Sequence, residues 1–264
     1  MDVDIDEDDD EEFFPLNQEQ AALKPAPSLA RVSPIDFPPS SPIVSSPPTP
    51  PLKLVTNEDN TLTEASLKDL SSHVTCDFLE VAIHQILYYR KLYPRGVFSK
   101  RKKYDVPVFI AWHPGLRDYI KNVVKSLKPL VAENVIRRVV LNILTDDKPV
   151  EKFVFELNNV TASGNISEDE YMINIEVSLR DALLRISSYD GKFEYDSKSS
   201  RFEVIVHVQG GSALDLIYES NPKLKWVQED VDEPKNEKLV PLKSLTDSPF
   251  MKMQLFVLQA PNCS

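Results

Sequence analysis

The sequence predicts an α+β fold in which helices pack on a mainly antiparallel sheet. The segments with apolar residues at helical spacing are 67–92, 114–129 and 168–186. The segments that alternate as strands do are 135–144, 150–157, 202–208 and 251–258. The short link from Asp146 to Pro149 joins two of these strands into a hairpin, and helices packed on such a sheet form an α+β domain.

The first predicted helix is apolar on most of its surface. Its two adjoining apolar faces consist of Phe78, Ala82 and Tyr89, and of Leu79, Ile83 and Ile86. So wide an apolar surface indicates a helix that is buried on most sides, and Pro94 and Gly96 end it. A short strand is expected at 106–112.

The other two helices have a single apolar face each. In the second, Pro114 suits the first turn and we expect Pro129 to end the helix. In the third, Ser167 and Glu170 form a capping box. The apolar stripes are Leu116, Ile120, Val123 and Leu127 in the second helix, and Met172, Ile175, Leu179, Leu183 and Ile186 in the third.

Charge and proline content divide the chain into two parts. Residues 1–60 contain 13 acidic and three basic residues, a net charge of −10, whereas the whole chain carries −11. The same residues contain 11 of the 21 prolines. A segment rich in acid and proline buries too little apolar surface to offset its ordering entropy. We therefore predict a disordered tail at 1–62, first acidic and then rich in Pro and Ser, followed by one domain at 63–264.

The end of the chain combines irregular sequence with a strong strand. Residues 209–250 show no clear periodicity, and the strand follows at 251–258. One face of this strand is apolar, while the other combines Lys252 and Gln254 with Phe256 and Leu258. The two apolar residues on that second face are either a binding surface or covered by another part of the domain.

The sequence has no catalytic signature. It lacks both glycine-rich phosphate-binding patterns, and its four histidines have no Cys or carboxylate neighbours at metal-ligand spacing. We expect no cofactor, no metal, no catalytic residue and no small-molecule substrate. The basic residues 100–103 contact an acidic partner or form a solvated loop, and the nearly neutral domain argues against direct nucleic-acid binding. No membrane segment or signal peptide is visible, and two distant cysteines fit an intracellular protein.

Three long segments resemble one known family. They are CDFLEVAIHQILYYRKLYPRGVFSKRKKYDVPV (76–108), PVEKFVFEL (149–157) and LVPLKSLTDSPFMKMQLFV (239–257). Their order and sequence are similar to the HORMA-domain regulatory subunits of DNA polymerase zeta, over about residues 65–260. The resemblance implies a HORMA domain with a mobile C-terminal "safety belt", here about 209–264, that closes over an extended peptide added to a sheet edge.

The resemblance also implies which residues bind partners. Tyr119 and Trp226 match contacts to a Pro-containing peptide of the polymerase catalytic subunit. Leu239, Gln254 and Phe256 match the surface that docks a deoxycytidyl transferase scaffold, although the family often has Tyr in place of Phe256. Residues that match or lie near a surface for homodimers or other HORMA proteins are Lys100, Arg180 and Gly191.

The tail contains a partial match to the family's guest peptide. Val32, Pro34, Pro38 and Pro39 fit its pattern, whereas Arg31 stands at an apolar position. Either residues 31–39 occupy the belt of their own chain or of a second copy, or the high proline content produces the match by chance.

The function implied is a non-catalytic nuclear adaptor, present also in the cytoplasm, that supports translesion synthesis and DNA repair and meets nucleic acid only indirectly. Two alternatives stay open. One is a HORMA adaptor of the spindle checkpoint, which inhibits the anaphase-promoting complex, or of meiotic chromosome axes. The other is an enzyme with an unrecognised site.

Overall fold

The computed structural model describes most of the domain and one short piece of the tail. The described residues are 28–32, 64–158, 168–190, 199–209, 237–245 and 251–261, together with residues 216, 219, 224, 226 and 227. The helices are α1 (Glu64–Tyr89), α2 (Pro114–Ala132) and α3 (Glu168–Ser188). The strands are β1 (Ser28–Val32), β2 (Phe98–Lys103), β3 (Val106–Ala111), β4 (Ile136–Thr145), β5 (Lys148–Asn158), β6 (Ser200–Val208), β7 (Lys238–Leu245) and β8 (Lys252–Gln259).

Six strands form one antiparallel sheet in the order β1-β6-β4-β5-β8-β7, and β2 and β3 form a separate hairpin. Inward-facing residues lie opposite one another in the sheet. Val139 of β4, for example, pairs with Phe155 of β5 and with Val206 of β6. The predicted α+β fold is confirmed.

The core lies between the three helices and one face of the sheet. The inward residues of the strands alternate along each strand and are almost fully buried, among them Leu141, Phe153 and Val204. The Phe78 ring of α1 meets Phe155 edge-to-face at 6.2 Å, so α1 lies directly on the sheet. This contact explains the wide apolar surface of α1, since its remaining sides face α2, α3 and β3.

The β4–β5 hairpin closes in a tighter turn than the sequence predicts. Lys148 and Pro149 already belong to β5, which leaves only Asp146 and Asp147 as turn residues. Both have positive φ, 50° and 62°, a conformation that Asp tolerates better than most residues and that suits the twist of a two-residue hairpin.

Several local predictions are wrong. The region 209–250 is not irregular throughout, because β7 lies within it; Pro241 masked the pattern, yet proline is tolerated on an edge strand. Residues 100–103 lie on strand β2 and not in a loop, since they pair with β3. Helix α2 continues past Pro129 to Ala132, where burial of Leu130 holds the last turn on the core.

A further difference concerns the tail. Ser28–Val32 fall inside the segment 1–62 for which the sequence predicts disorder, yet they form β1. The reason is that the edge of β6 supplies the backbone partners that this segment lacks on its own. The capping residue Ser167 lies outside the described residues, as do Pro34, Pro38, Pro39 and Gly191.

Within the described part of the chain, no helix has the length and apolarity that crossing a bilayer requires. The same residues contain no group of three or more His, Cys, Asp or Glu side chains placed to hold a metal ion.

Candidate functional site

The edge of β6 carries a short strand from a distant part of the chain. β6 pairs with β4 on one side and with β1 on the other, both antiparallel. Ser28 lies opposite His207, Leu29 opposite Val206 and Val32 opposite Val204, with a break in register between Leu29 and Val32. An extended segment therefore adds to this sheet edge through its backbone, which is the geometry of β-augmentation.

The C-terminal strands occupy the opposite edge. β8 pairs with β5 from Asn158–Lys252 to Glu151–Gln259, and β7 pairs with the outer side of β8. β6 and β7, which follow one another as strands along the chain, therefore lie on different sides of the sheet. Between them in sequence, Trp226 is 3% exposed and its indole Nε1 donates to Ser126 Oγ of α2 at 3.2 Å.

Tyr119 lies on the same helix, beside β6. Its ring meets Phe202 of β6 edge-to-face at 5.8 Å. Burial, the Tyr93 phenol and the Glu203 carboxylate raise the pKa of Tyr119 well above its ordinary value, so the hydroxyl stays protonated. Tyr119 and Ser126 are seven residues apart, two helical turns along one face. The structure thus places Tyr119 beside β6 and Trp226 against the same face of α2, two turns further along.

The three predicted scaffold-docking residues lie on the sheet face that points away from the helices. Gln254 and Phe256 share this face of β8, and Leu239 of β7 pairs with Leu258 on the same face. Their exposure differs, because Leu239 is 38% exposed whereas Phe256 is 8% exposed.

Phe256 is covered within the domain. It packs with Val140 and Val154 in a small apolar cluster on this outer face, flanked by Ile205 and Leu258. Of the two interpretations that the sequence leaves open for the second face of the last strand, burial within the domain holds for Phe256.

The predicted dimer residues sit on the hairpin and on α3. Lys100 is exposed on β2, and Arg180 of α3 lines an open cleft of about 550 Å³ with the turn of the hairpin. Ile173 and Val177, two exposed apolar residues of α3, line the same cleft.

A buried polar cluster, which the sequence analysis missed, connects β8 to the rest of the domain. Arg90, just after α1, pairs its Nε with Glu151 Oε2 of β5 at 2.9 Å, and both side chains are nearly inaccessible. The Tyr189 hydroxyl donates to Glu151 Oε1 at 3.1 Å and accepts from Gln259 Nε2 of β8 at 2.7 Å. Glu151 could have indicated this cluster from the sequence. It lies two residues before Phe153 and so faces the core, where a carboxylate needs a buried partner.

The buried titratable groups of α1 are structural. Burial raises the pKa of the Cys76 thiol to about 12 and lowers that of His84 to about 4, so both are neutral at pH 7. His84 Nδ1 accepts a hydrogen bond from the Ala111 backbone N–H at 3.4 Å. A thiol without thiolate character is a poor nucleophile, which fits the reading of Cys76 as a core residue.

Known proteins with related sequences identify the fold family. A sequence profile of the HORMA domain matches residues 71–205. The chain is 38% identical over 204 residues to the human mitotic spindle assembly checkpoint protein MAD2B, covering 75% of this chain and 95% of that protein. It is 30% identical over 190 residues to the DNA polymerase zeta processivity subunit of Arabidopsis thaliana, covering 71% and 85%.

Solved structures agree on the fold. A chain of the mitotic checkpoint complex superposes with a TM-score of 0.59 at 21% identity, covering 73% of this chain and 96% of that one. HTP-2 of C. elegans bound to a HIM-3 closure motif superposes with a TM-score of 0.54 at 9% identity, covering 78% and 99%. This chain belongs to the HORMA-domain family, as an adaptor of the MAD2B and polymerase zeta processivity subunit type.

Proposed function

We propose that this protein is the accessory subunit of a translesion DNA polymerase zeta, and that it holds an extended, Pro-containing peptide of the catalytic subunit on the edge of β6. The observation that carries the proposal is the β1–β6 pairing, because it demonstrates that this edge accepts an extended segment while β7 and β8 lie on the opposite edge. The polymerase zeta subunits among the similar proteins support the choice of partner.

The geometry suits capture by backbone pairing. A guest strand on β6 satisfies N–H and C=O groups that the edge otherwise presents to water, and alternate guest side chains face α2. Tyr119 beside Phe202 supplies an aromatic wall there. Trp226, held on α2 by its hydrogen bond to Ser126, is the second aromatic residue of the proposed site.

A second surface docks the deoxycytidyl transferase scaffold. Leu239 and Gln254 present accessible apolar and amide surface on the outer face of β7 and β8, while the nearly buried Phe256 supports it from below. Because the two surfaces lie at different parts of the sheet, one chain bridges polymerase and scaffold in the nucleus. The cleft at Arg180 and the exposed Lys100 of β2 form the surface for a second HORMA protein or a second copy, to which the sequence resemblance also assigns Gly191.

The test is binding of a synthetic Pro-containing peptide from the catalytic subunit of the same organism's polymerase zeta. Tyr119→Ala and Trp226→Ala are each expected to weaken binding by about 2 kcal/mol, roughly 30-fold, as buried aromatic anchors do. Matched controls are Tyr89→Ala and Trp112→Ala, which remove exposed aromatic residues elsewhere on the domain. Circular dichroism checks that each variant is folded. Wild-type affinity in both folded test variants would contradict the assigned site.

The checkpoint alternative is favoured by the similarity to MAD2B, which is named as a mitotic spindle assembly checkpoint protein. A pull-down that offers the polymerase peptide against a checkpoint-protein peptide separates the two functions, and we expect the polymerase peptide to be retained. Co-purification with mass spectrometry identifies the natural partners. The enzyme alternative is tested by incubating the purified protein with nucleotides and DNA, where we expect no turnover.

A further inference from the structure

We propose that Ser28–Val32 are an intramolecular guest, so that the chain's own tail occupies the β6 edge and competes with partner peptides. This inference rests on the proposed function, because it concerns the same edge. It adds a regulator of that edge, supplied by the protein itself.

The pairing itself is the first support. β1 meets β6 in antiparallel register from His207 to Val204, which is the edge that an incoming strand needs. β1 has five residues, whereas β6 has nine, and the register breaks between Leu29 and Val32. A longer partner strand that pairs along all of β6 forms more backbone hydrogen bonds than β1 does and can displace it.

The sequence around β1 explains why the strand lies where it does. Ser28–Val32 contain neither proline nor acid, whereas Pro27 precedes them and Pro34 follows closely. Proline has no N–H to donate to a strand ladder, so prolines on both sides limit the length of the segment that can pair. The tail therefore carries a short strand whose length proline limits on both sides.

The connection to the domain is long enough for the segment to bind its own chain. About 30 residues separate Val32 from Glu64, and a chain of that length extends up to roughly 100 Å. A domain of about 200 residues has a radius of gyration of roughly 16 Å, so this span reaches the β6 edge. A tether of this length gives an effective concentration on the order of 1 mM, far above the micromolar concentrations at which a second copy would compete.

A disulfide trap tests the position of β1. Ser28 and His207 are register partners, and opposite residues of antiparallel strands have Cα atoms about 4.5–5.5 Å apart, within the range that a disulfide bridges. In full-length protein with Cys263→Ser, we expect Ser28→Cys with His207→Cys to form an intramolecular disulfide under mild oxidation. The control pairs Ser28→Cys with Lys243→Cys on the opposite edge and is expected to stay reduced. Absence of the intramolecular disulfide, or disulfide-linked dimers instead, would overturn the proposal.

Competition tests the regulatory effect. The probe is a fluorescein-labelled synthetic peptide of residues 24–40, titrated into full-length protein. The variant carries Leu29→Pro and Ala30→Pro; because adjacent residues of a strand point their N–H groups to opposite sides, at least one proline removes a ladder donor. The matched control places the same pair at Ala21 and Ala22. We expect the variant to bind the probe about 10-fold more tightly or better than the control, because the tethered competitor is lost.

The outcomes separate this inference from the proposed function. Equal probe affinity of variant and control, while the polymerase peptide binds both, would overturn self-competition and leave the partner site standing. Failure of every peptide to bind the proline variant, with the domain folded, would refute the proposed function and this inference with it.

Discussion

Replacing Arg90 tests whether the buried polar cluster holds β8 in the sheet. The guanidinium pairs with Glu151 at 2.9 Å, and the two side chains are 7% and 0% exposed. Arg90→Met keeps a side chain of similar length but leaves the Glu151 carboxylate buried without a cation. Breaking a buried pair in this way costs about 3–5 kcal/mol, which is a large share of the roughly 5–15 kcal/mol that stabilises a domain.

The measurement is the free energy of unfolding from urea denaturation at neutral pH. The matched control is Arg138→Met, whose partner Glu156 lies at 3.3 Å in a pair that is 38% and 24% exposed, so its loss costs about 1 kcal/mol or less. Adding Glu151→Gln to Arg90→Met removes the unpaired charge and is expected to restore at least about 1 kcal/mol. An Arg90→Met cost no larger than that of the control, or a double variant no more stable than the single one, would mean that the buried pair does not stabilise the domain.

Three further predictions use the same denaturation assay. Tyr189→Phe, which removes the hydroxyl between Glu151 and Gln259, should cost about 2 kcal/mol. Burial lowers the pKa of His84 to about 4, so His84 stays neutral in the folded protein at neutral pH. Its contribution to stability is therefore present above pH 6.5 and is lost as the pH falls toward 4. His84→Leu should remove up to about 3 kcal/mol of that pH dependence. Phe256→Ala should cost about 3 kcal/mol, whereas a value near zero would mean that its ring is not packed in the domain.

The sequence predicts well the elements whose burial is periodic. The stripe of α2 from Leu116 to Leu127 and the alternation of β6 from Phe202 to Val208 are both buried as expected, because a single apolar period specifies which face meets the core. The HORMA fold is predicted from the resemblance of three long segments to one family, and the family match to residues 71–205 confirms it.

Elements that depend on distant partners are harder to predict. β7 contains Pro241 and is recognisable as a strand only once β8 lies beside it. β1 is recognisable as a strand only through its pairing with the edge of β6. The cluster of Arg90, Glu151 and Tyr189 joins residues about 60 and 40 positions apart, a proximity that no local pattern encodes.

The candidate site also has a part that the sequence predicts and a part that it does not. The resemblance names Tyr119 and Trp226, and the structure shows Tyr119 beside β6 and Trp226 against the same face of α2. Neither periodicity nor resemblance indicates that Phe256 is covered, because its burial arises from Val140 and Val154 on two neighbouring strands. The roles of Tyr119, Trp226 and Phe256 in binding stay predictions.

Hydrogen exchange in β6 and β7 shows most directly which edge of the sheet holds the guest. The full-length protein with Leu29→Pro and Ala30→Pro is compared with and without the polymerase peptide at saturation. We expect slower exchange of backbone amides in β6, residues 200–208, and unchanged exchange in β7, residues 238–245. Slower exchange in β7 alone, or unchanged exchange in β6 while the peptide is bound, would contradict the proposed guest site on β6.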